Sequence, residues 1–275
     1  MEYLAAACTD VGIKKSANQD SLTVKIADTS IGKVAMVVMC DGMGGLSQGE
    51  VASAEVINEF SGWFQHRLPK IIEKTVENSG IKDISGIEQK KQELVIDDYV
   101  IKNEWNRIVQ NENQKISEYG KKNGISLGTT IIIGLFTDSR YYILNVGDSR
   151  AYEIQEDVKI ITEDQTVVAN EIKLGKLTKE QAEKDARRSV LLQCVGASVT
   201  VNPDMFFGET KKNTVYMFCS DGFRHEISEQ EIFDYLNPDV SANEAKMTAN
   251  AKILIDLNKQ RNEKDNISVA FIRTY

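Results

Sequence analysis

The chain is short of the residues from which nitrogen and sulfur metal centres or covalent cross-links are built. Its 275 residues include two histidines, four cysteines and three prolines. With only His66 and His225 available, a histidine-rich zinc centre is excluded. Cys8, Cys40, Cys194 and Cys219 form no CxxC pair. Three of them (Cys8, Cys40 and Cys219) lie in or beside apolar runs, which fits small core residues in a reducing compartment. No apolar stretch approaches the roughly 18–20 residues that span a bilayer. The opening MEYLAAACTDVGIKK lacks the basic-then-apolar layout of a secretion signal, so a cytoplasmic protein without a membrane role is expected. Basic blocks are missing too. Lys and Arg total 33 against 41 Asp and Glu, a formal charge of −8 with a pI near 5.1. That balance argues against nucleic acid as a partner and leaves divalent cations as a natural one. No Gly/Ser-rich or Pro-rich linker divides the chain, and 41% hydrophobic with 27% charged residues is globular composition. One domain over residues 1–275 is the expectation.

Several short runs read as strands: YLAAACT near the N-terminus, VAMVVMC (34–40), TTIIIGLF (129–136), YYILNVG (141–147), TVYMFCS (214–220) and NISVAFIRT (266–274). Their apolarity is continuous rather than alternating, which predicts cover on both faces. Helical stretches lie between them. Ser47 and Glu50 have capping-box spacing before Val51, Ala54, Ile57, Phe60 and Phe64. A longer helix is predicted from about Gln89 to Tyr119. Ser228/Glu231 and Ser241/Glu244 suggest two more capped helices separated by Pro238. Strands and helices in this order predict an α+β layered fold.

The chemical signal is positional. VAMVVMC runs into Asp41-Gly42-Met43-Gly44-Gly45, YYILNVG into Asp148-Ser149-Arg150, and TVYMFCS into Asp221-Gly222, while Asp265-Asn266 opens the last strand. Each apolar strand thus begins or ends at an aspartate, usually beside a glycine that permits a sharp turn and leaves its carbonyl accessible. Any one Asp-Gly is an ordinary turn signal. Four at strand ends suggest that carboxylates distant in sequence meet at a sheet edge. Like charges about 4 Å apart repel by about 4 kcal/mol at an effective dielectric of 20, so such a cluster calls for cations. Oxygen donors without Cys or His select Mg²⁺ or Mn²⁺ over zinc.

These blocks resemble a known family. Asn18-Gln19-Asp20-Ser21, Asp41-Gly42-Met43-Gly44-Gly45, Gly128-Thr129-Thr130, Val146-Gly147-Asp148-Ser149-Arg150, Thr162-Glu163-Asp164, Ser220-Asp221-Gly222 and Asp265-Asn266-Ile267-Ser268 occur in order along nearly the whole chain. Together they resemble the type-2C, metal-dependent Ser/Thr protein phosphatases (the PPM family) in a bacterial form. The resemblance implies a four-layer α/β/β/α sandwich, two central antiparallel sheets flanked by helices, with a metal site at one edge. It implies that Asp41 bridges two Mn²⁺ or Mg²⁺ ions and that the Gly42 carbonyl binds one of them. Asp221 and Asp265 would bind the other ion, and Asp148 with Asp221 a third, weaker one. Asp20 matches the residue that hydrogen-bonds the attacking water. The reaction implied is hydrolysis of phosphoserine and phosphothreonine in phosphorylated proteins, by water bridging two metals and without a covalent intermediate. A monomer opposing a cognate Ser/Thr kinase system is implied as well. The same core would also serve a phosphatase of an anti-sigma-factor antagonist, or a pseudophosphatase that binds phosphoproteins without turnover.

The chain departs from the family pattern at several positions. Lys15 stands where the phosphate-gripping arginine belongs; it supplies charge without the bidentate fork, or else is a solvated surface lysine. Gln19 replaces a common glutamate. Met43, Gln165 and Asp185-Ala186 stand where relatives often carry histidine, which removes a histidine acid there and predicts a turnover pH profile without a histidine limb. His225 reads as a loop or helix-start residue and Cys40 as buried packing. Residues 165–190 resemble the variable flap, with a Thr178/Gln181 capped helix. Its Arg187-Arg188 either meet acidic substrate or sit on a solvated face. Arg150 reads as a structural ion-pair partner. The five aspartates account for five of the negative charges, and two or three divalent cations would offset them.

Overall fold

The computed structural model describes residues 1–44, 48–79 and 94–275. The chain opens with strands β1 (Tyr3–Asp10), β2 (Asp20–Thr29) and β3 (Gly32–Gly44). Helices α1 (Gly49–His66), α2 (Leu68–Asn78) and α3 (Asp98–Asn123) follow. Next come β4 (Leu127–Thr129), β5 (Ile131–Phe136), β6 (Arg140–Val146), β7 (Arg150–Ile154) and β8 (Val158–Ile160). The flap carries α4 (Val167–Lys173) and α5 (Lys179–Glu183). The chain ends with β9 (Asp204–Glu209), β10 (Thr214–Cys219), α6 (Asp221–Arg224), α7 (Glu229–Leu236), α8 (Glu244–Gln260) and β11 (Ile267–Thr274).

All pairings are antiparallel. One sheet runs β1-β11-β10-β7-β8, the other β2-β3-β5-β6-β9 with β4 added on β3. The continuous apolarity of β3 has a direct cause: its two faces enter two different cores. Val34, Met36, Val38 and Cys40 pack with Phe60, Trp63 and Trp105 from α1 and α3, whereas Ala35, Val37 and Met39 meet Tyr216, Phe218 and Ile272 of the other sheet. In β10, Val215, Met217 and Cys219 turn to a third core with Leu236, Met247 and Leu254 from α7 and α8. Helix, sheet, sheet and helix therefore lie in four layers, as expected. All four cysteines are free, with Cys8 half-buried and the other three buried. Among the described residues, no helix is long and apolar enough to cross a membrane.

Several local expectations need correction. The run 129–136 is broken at Thr130, because β4 pairs with Gly42–Gly44 while β5 pairs with Ala35–Met39. Strands β2, β7, β8 and β9 and helix α2 carry too little continuous apolarity to be read. β2 is a half-exposed edge strand. Ser47 lies outside the described residues; the helix starts after Gln48, whose N–H donates to Glu50 Oε2 at 3.0 Å. The face it buries is Ala52, Ser53, Val56, Phe60, Trp63 and Phe64, with Val51 and Ala54 exposed. The long helix starts at Asp98 under an Asp97 cap and continues to Asn123, with Gly124 in the left-handed region at φ 66°; residues 89–93 lie outside the described residues. Ser228/Glu231 and Thr178/Gln181 form complete capping boxes. Ser241/Glu244 does not: Asn243 caps α8, and Ser241 Oγ donates instead to the Leu236 carbonyl.

Candidate metal centre

The antiparallel register of β2 and β3 sets Asp20 directly across from Asp41. Asp41 is fixed by the strand break opposite it. Its N–H donates to Thr130 Oγ1 (3.0 Å), and its carbonyl accepts from Thr130 N and Thr129 Oγ1 (2.9 Å each). Thr130 Oγ1 in turn lies 3.0 Å from Ser149 Oγ, beside Asp148. The Gly-Thr-Thr and Asp-Ser-Arg blocks thus meet behind Asp41, a role that spacing in the sequence did not reveal. Gly42 permits close approach, since a Cβ there would collide with the carbonyls of Gln19 and Gly49. Its carbonyl faces the first residue of α1, where Gly49 likewise leaves it room. Gly45, the last residue of that turn, lies outside the described residues.

Asn266 draws in the N-terminal loop. Its side chain donates to the Val11 and Ala17 carbonyls (2.9 and 3.1 Å) and accepts from Gln19 N at 2.9 Å. This staple sets Lys15 Nζ 2.8 Å from Asp265 Oδ1. Burial opposes charge on Lys15, but the Asp265 hydrogen bond and the fields of Asp41 and Asp221 outweigh it and raise its pKa. Lys15, Asp221 and Asp265 line one cleft of about 660 Å³, whose rim includes Lys14, Arg188 and Lys264.

At the inner end the carboxylates accumulate. Burial, and then the fields of Asp20, Asp221, Asp265 and Asp148, hold the Asp41 carboxyl well above the usual range. Burial followed by Asp221 raises Asp148 to about 7. Asp20 is 8% exposed and is likewise pushed up to about 7, by burial first and by Asp221 and Asp265. The nearby Ser268 and Ser220 hydroxyls ease that shift without meeting hydrogen-bond geometry, and both Asp20 oxygens and Asp221 Oδ1 are buried without a partner among the described residues. No three acidic, His or Cys side chains among the described residues are already drawn into metal-ligating geometry. Lys15 engages one Asp265 oxygen. Buried orphan carboxylate oxygens fit hard divalent cations.

A family model described as protein phosphatase 2C matches residues 12–254. The chain belongs to the protein phosphatase 2C family. It is similar to the serine/threonine phosphatase stp of Listeria innocua, 26% identical over 246 residues that cover 87% of this chain and 84% of the relative. In fold it is similar to the S. agalactiae serine/threonine phosphatase, at TM-score 0.76 and 24% identity over the full length of both. It is also similar to the catalytic domain of serine threonine protein phosphatase PstP in complex with two manganese ions, at TM-score 0.67 and 23% identity, covering 98% of this chain and 97% of that one.

The departures from the phosphatase 2C pattern can now be placed. Arg150 is the structural ion-pair partner it was expected to be. Its guanidinium grips Asp164 with two bonds of 2.7 and 2.8 Å, and Arg224 joins at 3.2 Å while also donating to the Asp148 carbonyl at 3.0 Å. Gln165 is likewise structural, accepting from Gly147 N (2.9 Å) and donating to Asp204 (2.7 Å). Gln19 turns to Glu50 at 3.5 Å, while its carbonyl accepts from Gly42 N at 3.1 Å. The two flap arginines separate: Arg187 is tied to Glu171 and Asp185 (2.9 and 2.7 Å), whereas Arg188 lines the cleft. Cys40 is core packing beneath the sheet. His225 is a loop residue, as expected, and it reaches the site. It caps the C-terminus of α6 and lines the cleft, with Nε2 3.8 Å from Asp221 Oδ2 and Nδ1 3.5 Å from Glu263 Oε2. Glu263 was missed altogether. It is buried, and its Oε1 accepts from the N–H groups of Lys264 (2.6 Å) and Asp265 (2.8 Å), so it holds the loop that carries Asp265. No local sequence pattern marks a carboxylate that serves its own loop.

Proposed function

We propose that this chain is a Mn²⁺- or Mg²⁺-dependent protein phosphatase that hydrolyses phosphoserine and phosphothreonine. The observation that carries the reading is the convergence of Asp20, Asp148, Asp221 and Asp265 on Asp41 at one edge of the sandwich. Asp41, Asp221, Asp265 and the Gly42 carbonyl would hold two ions, and Asp148 with Asp221 a third. When bound, such ions lower the pKa of water and neutralise phosphoryl charge during in-line attack. Asp20 offers its buried oxygens as acceptors to the attacking water and orients it. Lys15 presents a single cationic donor to a phosphoryl oxygen, which gives looser positioning than an arginine fork. The expected setting is a single domain over residues 1–275, monomeric and cytoplasmic, acting on phosphorylated proteins made by a cognate Ser/Thr kinase system.

The test is hydrolysis of p-nitrophenyl phosphate and of phosphoserine and phosphothreonine peptides with Mn²⁺, Mg²⁺ or EDTA, beside Asp221→Ala. Turnover should need the metal and should fall by at least about 100-fold in the variant, the scale on which one electrostatic catalytic element is felt. Activity that survives both chelation and the substitution would refute the two-metal reading. Folded protein with no metal-dependent turnover would point to the pseudophosphatase.

A further inference from the structure

We infer that the cleft selects phosphopeptides whose phosphorylated residue is flanked by acidic side chains, a reading of substrate class that rests on the phosphatase activity proposed above. The protein carries more acids than bases, 41 against 33, and a good part of its surface cations pair with carboxylates at home. Lys33 reaches Glu2 and Asp28, Lys173 reaches Glu163, Lys259 reaches Asp10, and Arg261 reaches Glu231. The cleft rim holds two that do not. Lys14 and Lys264 are exposed, both line the cleft, and neither has a carboxylate within ion-pair distance among the described residues. The first belongs to the loop stapled by Asn266 and the second to the loop held by Glu263, so their backbones are fixed although their side chains are free to reach.

The flap supplies a third cation. Arg188 lines the same cleft and is exposed, whereas Arg187, held by Glu171 and Asp185, is not part of that lining. Against these stands Glu226, the one half-buried acid of the lining that belongs neither to the aspartate cluster nor to the Asp265 loop. The inner acids Asp221 and Asp265 face the proposed cations of the site, so a peptide lying along the cleft meets mainly positive charge at the rim. A phosphorylated residue seated at Lys15 would place its neighbours under Lys14, Lys264 and Arg188. Acidic neighbours complement that rim and basic ones are repelled, which gives specificity more than tight binding. Each exposed pair is worth about 2- to 5-fold in affinity, so Lys14 and Lys264 together favour an acidic peptide by about 4- to 25-fold.

The experiment compares two phosphothreonine peptides of equal length, one flanked by Glu and Asp and the other by Lys and Ala, with p-nitrophenyl phosphate as a substrate too small to reach the rim. Wild type, Lys14→Glu/Lys264→Glu, and Arg188→Ala are assayed with Mn²⁺. The acidic peptide should have about 10-fold higher kcat/KM at low salt, with the advantage shrinking at about 0.5 M salt as screening shortens the reach of the rim charges. The double reversal should remove or invert the preference and Arg188→Ala should lessen it, with p-nitrophenyl phosphate turnover unchanged in both. Equal kcat/KM for the two peptides, or a preference untouched by these variants, with p-nitrophenyl phosphate turnover intact, overturns this inference alone. Wild type that is inactive on p-nitrophenyl phosphate overturns the phosphatase reading and the inference with it.

Discussion

Asn in place of Asp20 should stabilise the metal-free protein more at pH 8 than at pH 5. Asp20 is 8% exposed, both its oxygens lack partners among the described residues, and its carboxyl titrates at about 7 rather than at the ordinary 3.8. For an acid whose folded pKa is raised, the sign is fixed. The folded state binds the proton more tightly than the unfolded chain, so the group costs nothing well below pH 4. The cost then grows as pH rises toward 7 and is complete above it. A shift of this size corresponds to about 4 kcal/mol at pH 8, of which about 1–2 kcal/mol is already present at pH 5. Asn removes that cost and substitutes a buried amide short of hydrogen bonds, a penalty of about 1–3 kcal/mol at either pH. The net change is a gain of about 1–3 kcal/mol at pH 8 and, at pH 5, lies between a gain of about 1 kcal/mol and a loss of about 2 kcal/mol. Asn also removes the field that Asp20 exerts on Asp41, a change that acts in the same direction. Thermal melts in EDTA read this directly, at about 2–4 °C per kcal/mol for a chain of this order. Adding Mn²⁺ should raise the wild-type midpoint more than that of the variant. The reasoning is refuted if Asp20→Asn is less stable than wild type by the same margin at both pH values.

Three further outcomes follow from the same geometry. Glu263→Gln should weaken Mn²⁺ binding about 10- to 100-fold by calorimetry with the fold intact by circular dichroism, because Oε1 holds the Lys264 and Asp265 amides; an unchanged Kd would make Glu263 incidental. His225→Gln should leave the shape of the turnover pH profile unchanged, since both ring nitrogens are turned to Asp221 and Glu263; a limb present in wild type and lost in the variant would assign proton transfer to the imidazole. Asp164→Asn should cost about 2–4 kcal/mol in urea denaturation at pH 7, because it strips a carboxylate from two arginines. Burial pushes the Asp164 carboxyl up, but Arg150 and Arg224 outweigh this and hold it below the ordinary range, so its stabilisation is present at neutral pH and lost in acid. The wild-type and variant curves should therefore converge as pH falls below about 4, and parallel curves would contradict the pairing.

By itself the sequence determined the pieces that depend on local pattern. Strands buried on both faces must be apolar at every position, so β3, β5, β10 and β11 were legible as runs. The aspartates at their ends were legible as interruptions of those runs, and the ordered blocks identified the family. Capping boxes at Ser228 and Thr178 were legible because a cap is a contact between residues three apart. Edge strands β2, β8 and β9 escaped because half-exposed strands carry mixed residues, and buried β7 because it is short and bears Arg150 and Glu153. Only the tertiary structure decided what each charged group faces. It paired Asp20 with Asp41, used Thr129 and Thr130 to hold Asp41, and set His225 between Asp221 and Glu263. It also turned Arg187 onto the flap while leaving Arg188 on the cleft. Electrostatic interaction depends on distance and burial, and both are fixed by how the two sheets and three loops are brought together. The chain could therefore display five aspartates, while only the folded edge makes three of their carboxyls reluctant to ionise.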